Sequence, residues 1–238
     1  MSKLLIVAII ATAIAAIAIP IKIFNGTRNE LRIEEQNRLL VEARMIALTG
    51  QINPHFLFNT LNSISSLVRT NPELARQLIL RLSNILRRLL RRQETYTPLR
   101  EELDLVEDYM SIERVRMGDK LQFSTEVEDG ALDAMVPSML LQPLVENSIK
   151  HGISPKIDGG SIRISGRRSS GRLVLEVRDN GVGIPPDRQD GLYDEGVGLS
   201  NVRERVKTLY GSDCVFRVVS QEGQGTTVEI ELPDLVAK

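Results

Sequence analysis

Tryptophan is absent from this chain of 238 residues, which holds only four tyrosines and five phenylalanines. Proteins that stack nucleic-acid bases do so on aromatic side chains, so such a surface is not expected here. The formal net charge is −1, so the chain also lacks the excess of basic residues that suits a phosphate backbone. We therefore predict no nucleic-acid partner.

Cysteine occurs once, at Cys214, so no disulfide bond can form within the chain. A chain without disulfides fits a reducing compartment. Cys214 begins an apolar, strand-like run that ends at Val219, and we predict that it is a small, buried core residue.

Charged residues are absent from Leu4 to Ile21, and a helix of these 18 residues would span about 27 Å, close to the hydrocarbon thickness of a bilayer. A cleaved signal peptide is the alternative, because Lys3 precedes the run. The Ala-x-Ala triplets lie inside the run and not after it, so we favour a membrane anchor in residues 1–24. Basic residues follow the run, which predicts a single-pass protein of the cytoplasmic (inner) membrane with its catalytic part in the cytoplasm.

Residues 25–50 are rich in charged side chains and contain no proline, which indicates a helix. Their weak heptad pattern would suit a signalling helix in a dimer, and a solvated linker helix is an equally good interpretation.

Two amphipathic helices are predicted next, from Pro54 to Arg69 and from Pro72 to about Gln93, with Asn71 as the N-cap of the second. Their apolar stripes need a partner, and a second copy of the chain would complete a four-helix bundle. We assign residues 51–96 to this dimerising hairpin. Residues 97–120 are assigned to a connecting helix that begins at Pro98.

Residues 121–238 mix strand patterns with helical patterns. Helices are expected near 138–151 and 198–209, and this mixture predicts an α/β sandwich. The expected strands are 121–128, 161–166, 173–178, 214–219 and 226–232.

His55 is one of two histidines and stands in the segment Gln51-Ile-Asn-Pro-His-Phe-Leu-Phe-Asn59, at the edge of an apolar helical stripe. From this segment alone, a half-buried histidine that is satisfied by a neighbour is as good an interpretation as a chemical role.

Four further segments follow in order: Glu146-Asn-Ser-Ile-Lys-His-Gly152, Asp179-Asn-Gly-Val-Gly183, Gly196-Val-Gly-Leu-Ser-Asn201 and Gly223-Gln-Gly-Thr-Thr227. They resemble the N, G1, G2 and G3 boxes of the GHKL nucleotide-binding fold. Together with the His55 segment, they make the chain similar to sensor histidine kinases of the LytS/YehU type, over roughly residues 45 to 233. The resemblance implies a Bergerat-type α/β sandwich that binds ATP and Mg²⁺.

The resemblance also implies that His55 accepts a phosphoryl group and passes it to an aspartate on the receiver domain of a response regulator. A neutral imidazole is a competent nucleophile near pH 7. Asn59, one helical turn on, is expected to orient the ring. Many histidine kinases place an acidic residue after the acceptor, whereas Phe56 stands here, so the proton acceptor is unassigned.

For the nucleotide, the resemblance assigns to Asp179 the hydrogen bond with the adenine amino group. The letters Asp-Asn-Gly taken alone are equally typical of a surface turn. Gly181 and Gly183 allow the backbone to approach the base closely. Thr226 and Thr227 are expected to close the pocket.

Asn147 carries an amide oxygen that suits Mg²⁺, and Lys150, on a neighbouring part of the same helix face, would reach a phosphate. Glu146 is expected to polarise a water or stabilise the site, and His151 to shape the pocket.

The third box opens a predicted helix whose free N–H groups suit an anion. Residues 184–195 are expected to form a mobile lid over the phosphates. The residues assigned to the phosphate side are Gly196, Gly198, Leu199 and Asn201.

The expected partners are ATP, a response regulator, a second copy of the chain, membrane lipid and a membrane protein that supplies the signal. Two other functions stay open at this point. One is a nucleotide-binding interaction protein or ATPase switch in which His55 only packs the bundle. The other is a GHKL ATPase that performs mechanical work.

Overall fold

The computed structural model describes residues 54–90, 95–186 and 197–235. The predicted anchor in residues 1–24 and the predicted helix in residues 25–50 lie outside these ranges. Within the described ranges, none of the helices combines the length and the apolar character that a bilayer span requires.

The hairpin consists of α1 (Pro54–Thr70) and α2 (Pro72–Leu90), close to the predicted bounds. The Asn71 side chain accepts a hydrogen bond from the Leu74 N–H at 3.1 Å, so the predicted N-cap is confirmed. Apolar side chains at helical spacing form the buried face of the hairpin, namely Phe56, Ile64, Ala75, Leu78, Leu82 and Ile85.

Helix α3 (Leu99–Met117) follows as predicted and packs along α2. Arg81 of α2 donates to the Asp108 carboxylate at 3.0 Å, and the rings of Phe56 and Tyr109 lie 4.7 Å apart between centroids. Helix α3 therefore contacts both helices of the hairpin through side chains.

Two short strands that the sequence analysis did not predict, β1 (Tyr96–Pro98) and β3 (Met135–Pro137), form an antiparallel pair. The pattern rules miss them because three residues are too few to show alternation.

A five-stranded sheet forms the centre of the remaining chain, with the order β2-β4-β5-β7-β6. Strands β2 and β4 are parallel, and the other neighbours are antiparallel. All five predicted strands are present with ends shifted by up to three residues. Their bounds are Leu121–Val127 for β2, Gly160–Ser169 for β4, Arg172–Asp179 for β5, Val215–Gln221 for β6 and Gly225–Pro233 for β7.

The helical elements that follow β2 are a short 3₁₀-helix (Asp129–Ala131), α4 (Gln142–Asn147), a π-helix (Ser148–Ile153) and α5 (Val197–Tyr210). The π-helix contacts strands β4, β5 and β7, and α4 contacts α5. Buried residues alternate along β5, which is the pattern of a sheet with one face against a core. This arrangement is the expected α/β sandwich.

The prediction of one α-helix over residues 138–151 was wrong at both ends. Residues 138–141 form a turn in which Met139 has a φ of 60°, a conformation that an α-helix does not contain. Pro143 stands in the first turn of α4, the position where a missing N–H costs least. From Ser148 onward the backbone is a π-helix, which has wider hydrogen-bonded turns than an α-helix.

The predicted burial of Cys214 was also wrong. Cys214 is partly exposed and precedes β6, with its Sγ 3.4 Å from the Gly211 carbonyl oxygen. It belongs to the turn between α5 and β6, because the alternating burial pattern begins only at Val215.

Candidate nucleotide site and phosphoacceptor

Three of the four glycine-containing segments are joined by backbone hydrogen bonds. The Val182 N–H donates to the Gly152 carbonyl at 2.9 Å, and the Gly223 N–H donates to the Val182 carbonyl at 2.7 Å. A Cβ added at Gly181 would overlap the backbone of Gly152. These segments lie 29 to 71 residues apart in the sequence, between Gly152, Gly181 and Gly223, and the fold brings them together.

Asp179 ends strand β5 and lies between these segments with only 4% of its surface exposed. Its Oδ1 accepts hydrogen bonds from the Gly181 N–H at 2.9 Å and the Thr226 N–H at 3.2 Å. Burial raises the pKa of Asp179, and the hydrogen bonds from Gly181, Ser148 and Thr226 oppose that rise. The carboxylate is thus fixed in orientation and largely shielded from solvent.

Ser148 is a site residue that the sequence analysis missed. Its side chain hydrogen-bonds to Asp179, so the first box touches the carboxylate of the second. Its position between Asn147 and Lys150 in the first box is the sequence feature that could have identified it as a site residue.

Asn147 is half-buried at the end of α4, and the remaining glycine-containing segment approaches it from α5. A Cβ added at Gly198 would lie 2.8 Å from Nδ2 and 3.0 Å from Oδ1 of Asn147. The absence of a side chain at Gly198 therefore lets the start of α5 approach the amide. Leu199 is half-buried and Asn201 exposed on the same helix, whereas Gly196 and most of the predicted lid lie outside the described residues.

Lys150 and His151 both lie on the π-helix and are exposed. We predicted that Asn147 and Lys150 lie on neighbouring parts of one helix face because they are three residues apart on an α-helix. Lys150 lies on a π-helix, which turns less per residue, so this argument from α-helical spacing does not apply. Partial burial, and the nearby Lys150 charge, lower the pKa of His151. His151 is accordingly more strongly neutral at pH 7 than a free histidine.

Glu146 is half-buried on α4, and its Oε1 accepts a hydrogen bond from Gln142 Nε2 at 2.7 Å. Burial is the main reason that the pKa of Glu146 is raised; Glu113 adds to the rise, while Gln142 and Lys150 oppose it.

The last box lies at the start of β7, where the Thr226 N–H reaches Asp179. Thr226 is half-buried, and its Oγ1 lies 2.9 Å from Ser220 Oγ, while Thr227 is half-buried beside it. Gly183 has a φ of +68°, and a Cβ there would overlap the Gln221 carbonyl oxygen. Glycine is therefore required at this position for both conformation and space.

His55 is exposed in the first turn of α1, with the Asn59 Nδ2 3.1 Å from its Nδ1. The neighbouring Phe56 is 6% exposed and packs on Tyr109. The side chain that packs the hairpin core at this point is therefore Phe56, and His55 faces outward.

The fold is an α/β sandwich in which glycine-containing segments surround Asp179 and approach Asn147. Residues 133–236 belong to the family described as histidine kinase-, DNA gyrase B-, and HSP90-like ATPases. Residues 43–121 belong to the histidine kinase family. The chain therefore carries both a histidine kinase domain and the ATPase domain that follows it, and it belongs to the histidine kinases.

The chain is also similar to curated sensor proteins. The chain is 39% identical to the sensor histidine kinase YpdA of Escherichia coli (strain K12) over 209 residues, which cover 85% of this chain and 36% of the relative. It is 36% identical to the sensor protein LytS of Enterococcus faecalis (strain ATCC 700802 / V583), over 84% of this chain and 36% of that protein. The chain thus spans little more than a third of the length of these relatives.

Among solved structures, the histidine kinase domain of the blue-light activated histidine kinase from Erythrobacter litoralis EL346 is similar, with a TM-score of 0.47 and 20% identity. The match covers 71% of this chain and 80% of that chain.

Proposed function

We propose that this chain is the catalytic part of a sensor histidine kinase that transfers the γ-phosphoryl group of ATP to His55 and then to an aspartate of a response regulator. The observation that carries the proposal is an exposed, Asn59-contacted histidine in one chain with two linked contacts: Ser148 hydrogen-bonds to the buried Asp179, and Gly198 approaches the adjacent Asn147. Membership of the histidine kinase family supports it.

Asp179 is the proposed partner of the adenine amino group. Its Oδ1 is held by two backbone N–H groups, so the carboxylate is oriented before the base arrives. Gly152 and Gly181 adjoin it: a Cβ at Gly152 would lie 2.9 Å from Asp179 Oδ1, and a Cβ at Gly181 would overlap the backbone of Gly152. A buried, pre-oriented carboxylate gains more from a hydrogen bond than an exposed one.

The phosphate side is proposed to consist of Lys150, the N–H groups of the first turn of α5, and the hydroxyl groups of Thr226 and Thr227. The first turn of a helix provides unpaired N–H donors and a partial positive charge. Gly198 and Leu199 stand in this turn, Asn201 follows it, and Gly196 precedes it in the sequence.

Asn147 fits the role of the Mg²⁺ ligand. Mg²⁺ keeps several waters and uses few protein oxygens together with substrate phosphates, so one half-buried amide beside the start of α5 suffices. When bound, the ion neutralises phosphate charge. Asn147 supplies the oxygen, and the glycine at position 198 keeps the approach to it open.

At His55, a ring nitrogen forms a bond to the γ-phosphorus while the bond from that phosphorus to the β,γ-bridging oxygen breaks, so ADP leaves. The other ring nitrogen then releases its proton to solvent. Asn59 orients the ring in this proposal. Phe56 has no proton-accepting group, which distinguishes this chain from kinases with an acid after the histidine.

We further propose that the chain is a homodimer, joined through the hairpin. Helix α1 leaves Phe58, Leu61 and Val68 exposed, and α2 leaves Ile79 and Leu80 exposed. Exposed apolar faces of this kind indicate a protein interface. Residues 1–24 would anchor the dimer in the lipid of the inner membrane, with a membrane protein partner as the source of the signal and residues 121–238 as the ATP-binding domain in the cytoplasm.

The test is incubation with γ-labelled ATP and Mg²⁺, followed by acid and base treatment of the labelled protein. His55→Gln is expected to remove an acid-labile, base-stable label while ATP binding persists. Asn147→Ala is expected to remove both the label and the Mg²⁺-dependent part of ATP binding.

His151→Gln is the control, because it removes the other histidine and should leave an acid-labile label in place. A label that survives His55→Gln would overturn the acceptor assignment. ATP binding without any label in the wild-type chain would favour a nucleotide-binding interaction protein instead.

A further inference from the structure

A buried carboxylate lies outside the nucleotide pocket, in the first turn of α3. Glu102 is only 3% exposed. Its Oε1 accepts the Met139 N–H at 2.7 Å, and its Oε2 accepts the Leu140 N–H at 2.8 Å and the Leu141 N–H at 3.1 Å. One side chain thus satisfies three consecutive backbone donors.

These donors belong to the turn that leads directly into α4, the helix that ends at Asn147. A backbone N–H that is buried without a hydrogen-bond partner is costly. Met139 also has a φ of 60°, a strained conformation for a residue with a side chain. The Glu102 carboxylate is therefore what compensates this turn.

The source of the carboxylate sets this turn apart from an ordinary helix cap. At α2 the cap is local, because Asn71 accepts from Leu74 three residues on. At α4 the acceptor stands 37 residues earlier than Met139, on a different helix. The position of α4 is therefore tied to α3 and not only to its own sequence.

Helix α3 is in turn tied to the hairpin that carries His55. Arg88 of α2 hydrogen-bonds to the carbonyl of Glu101, the residue next to Glu102, and Phe56 of α1 packs on Tyr109. The same turn before α4 also receives a contact from the other side, where Arg205 of α5 donates to the Ser138 carbonyl. Contacts therefore run without a gap from the hairpin through α3 to the turn before α4.

We propose that Glu102 is a positioning residue for phosphoryl transfer: by holding the three amides of the turn that leads into α4, it fixes Asn147 relative to α3 and to the hairpin. This inference rests on the proposed function, since it concerns the same nucleotide site. Glu102 touches neither nucleotide nor acceptor and acts through α4.

The test uses Glu102→Gln in the whole chain, with calorimetric titration of MgATP and, in EDTA, of adenosine. The variant places an amide NH₂ against at least one backbone N–H, donor against donor, so the turn must move. MgATP affinity and the rate of His55 labelling are expected to fall about 10- to 100-fold, as for other residues that support a metal ligand. Adenosine binding is expected to be unchanged, because Asp179 is held by Gly181 and Thr226.

Glu101→Gln is the matched control. It removes the same charge from the neighbouring residue, which is exposed and accepts a hydrogen bond from Thr97 Oγ1 at 3.2 Å, and it should leave both affinities unchanged. Equal losses in the two variants would overturn the proposal. An equal loss of MgATP and adenosine binding in Glu102→Gln would also overturn it, because that result indicates a general structural defect.

If Glu102→Gln does not fold, Glu102→Asp tests the proposal instead. It keeps the charge but is one methylene shorter, so it cannot reach all three amides, and an intermediate loss of MgATP affinity is expected. Unchanged MgATP affinity in a folded variant overturns the proposal. The affinity measurement is independent of phosphorylation, so a wild-type chain that binds MgATP without labelling His55 would refute the proposed kinase function alone.

Discussion

The hairpin and the nucleotide-binding unit differ in how far their functional residues are buried. In the hairpin, His55 is exposed while its neighbour Phe56 is buried. In the nucleotide-binding unit, Asp179 is 4% exposed and held by two backbone N–H groups. The hairpin also leaves apolar side chains such as Phe58 uncovered, 66% exposed, whereas Leu173 and Leu175 of β5 are buried.

This difference follows from what each region has to do. An acceptor that receives a phosphoryl group from one domain and gives it to another protein must be reachable from solvent. A pocket that recognises a base gains from burial, because hydrogen bonds there are not weakened by competing water. The comparison predicts that substitutions in the hairpin alter association and chemistry, whereas those in the pocket alter folding and ATP affinity.

The largest effect is expected at Gly183 of the pocket. Gly183→Ala would place a Cβ at a φ of +68° and against the Gln221 carbonyl oxygen, so we expect it to lower the free energy of unfolding by about 3 kcal/mol. Gly171→Ala is the control, because its φ is +76° with no atom within 4 Å of the added Cβ, and it should cost about 1–2 kcal/mol. Urea unfolding measures both; equal losses would show that space beside Gly183 is not limiting.

The next effect is expected at Asp179, where a substitution should lower ATP affinity without lowering the free energy of unfolding at pH 7. Asp179→Asn removes the carboxylate that pairs with the adenine amino group, so ATP affinity should fall about 100-fold by titration calorimetry. The pKa of Asp179 is raised by burial above its ordinary value of 3.8, so the carboxylate binds its proton more tightly in the folded state. Its contribution to stability is therefore present at low pH and lost as the pH rises through the folded pKa.

At pH 7 the neutral side chain of the Asp179→Asn variant should consequently leave the free energy of unfolding equal to or above that of the wild type. The difference should shrink as the pH falls towards 3.8, the pKa of an unperturbed aspartate. A variant that loses stability at pH 7 would contradict the sign of this argument.

The smallest of these effects is expected at Phe58 in the hairpin. Phe58→Asp places a charge on the exposed apolar face of α1 and should weaken the proposed homodimer at least about tenfold in sedimentation equilibrium. Val219→Asp makes the same kind of change on β6, where Val219 is 60% exposed, and should leave association unchanged. A chain that is monomeric before either substitution would refute the proposed dimer.

Much of this architecture is predictable because helices and strands repeat their apolar residues at different periods. The bounds of α1, α3 and β7 follow from such repeats, and Asn71 was identified as a cap by a rule that operates within one turn. The proximity of Asp179 to Gly181 and Thr226 was also predictable, because all three residues belong to the boxes that resemble a nucleotide site.

What escaped prediction depends on contacts between distant segments. The turn over residues 138–141 exists because Glu102 satisfies its amides from another helix, and nothing near Met139 in the sequence marks that partner. Strands β1 and β3 are distant in the sequence, with Pro98 paired to Met135, and are too short for a period. Cys214 escaped for a local reason, since an apolar run does not reveal at which residue its strand begins.

The contact between Gly152 and Asp179 has a consequence for inhibitors and resistance. A Cβ at position 152 would lie 2.9 Å from Asp179 Oδ1, so any larger residue there must displace the carboxylate. A compound that competes with the base and presses against this wall would meet a surface that mutation cannot reshape at low cost. Resistance would have to arise at some other wall of the pocket, because an escape variant at position 152 would damage its own recognition of the nucleotide.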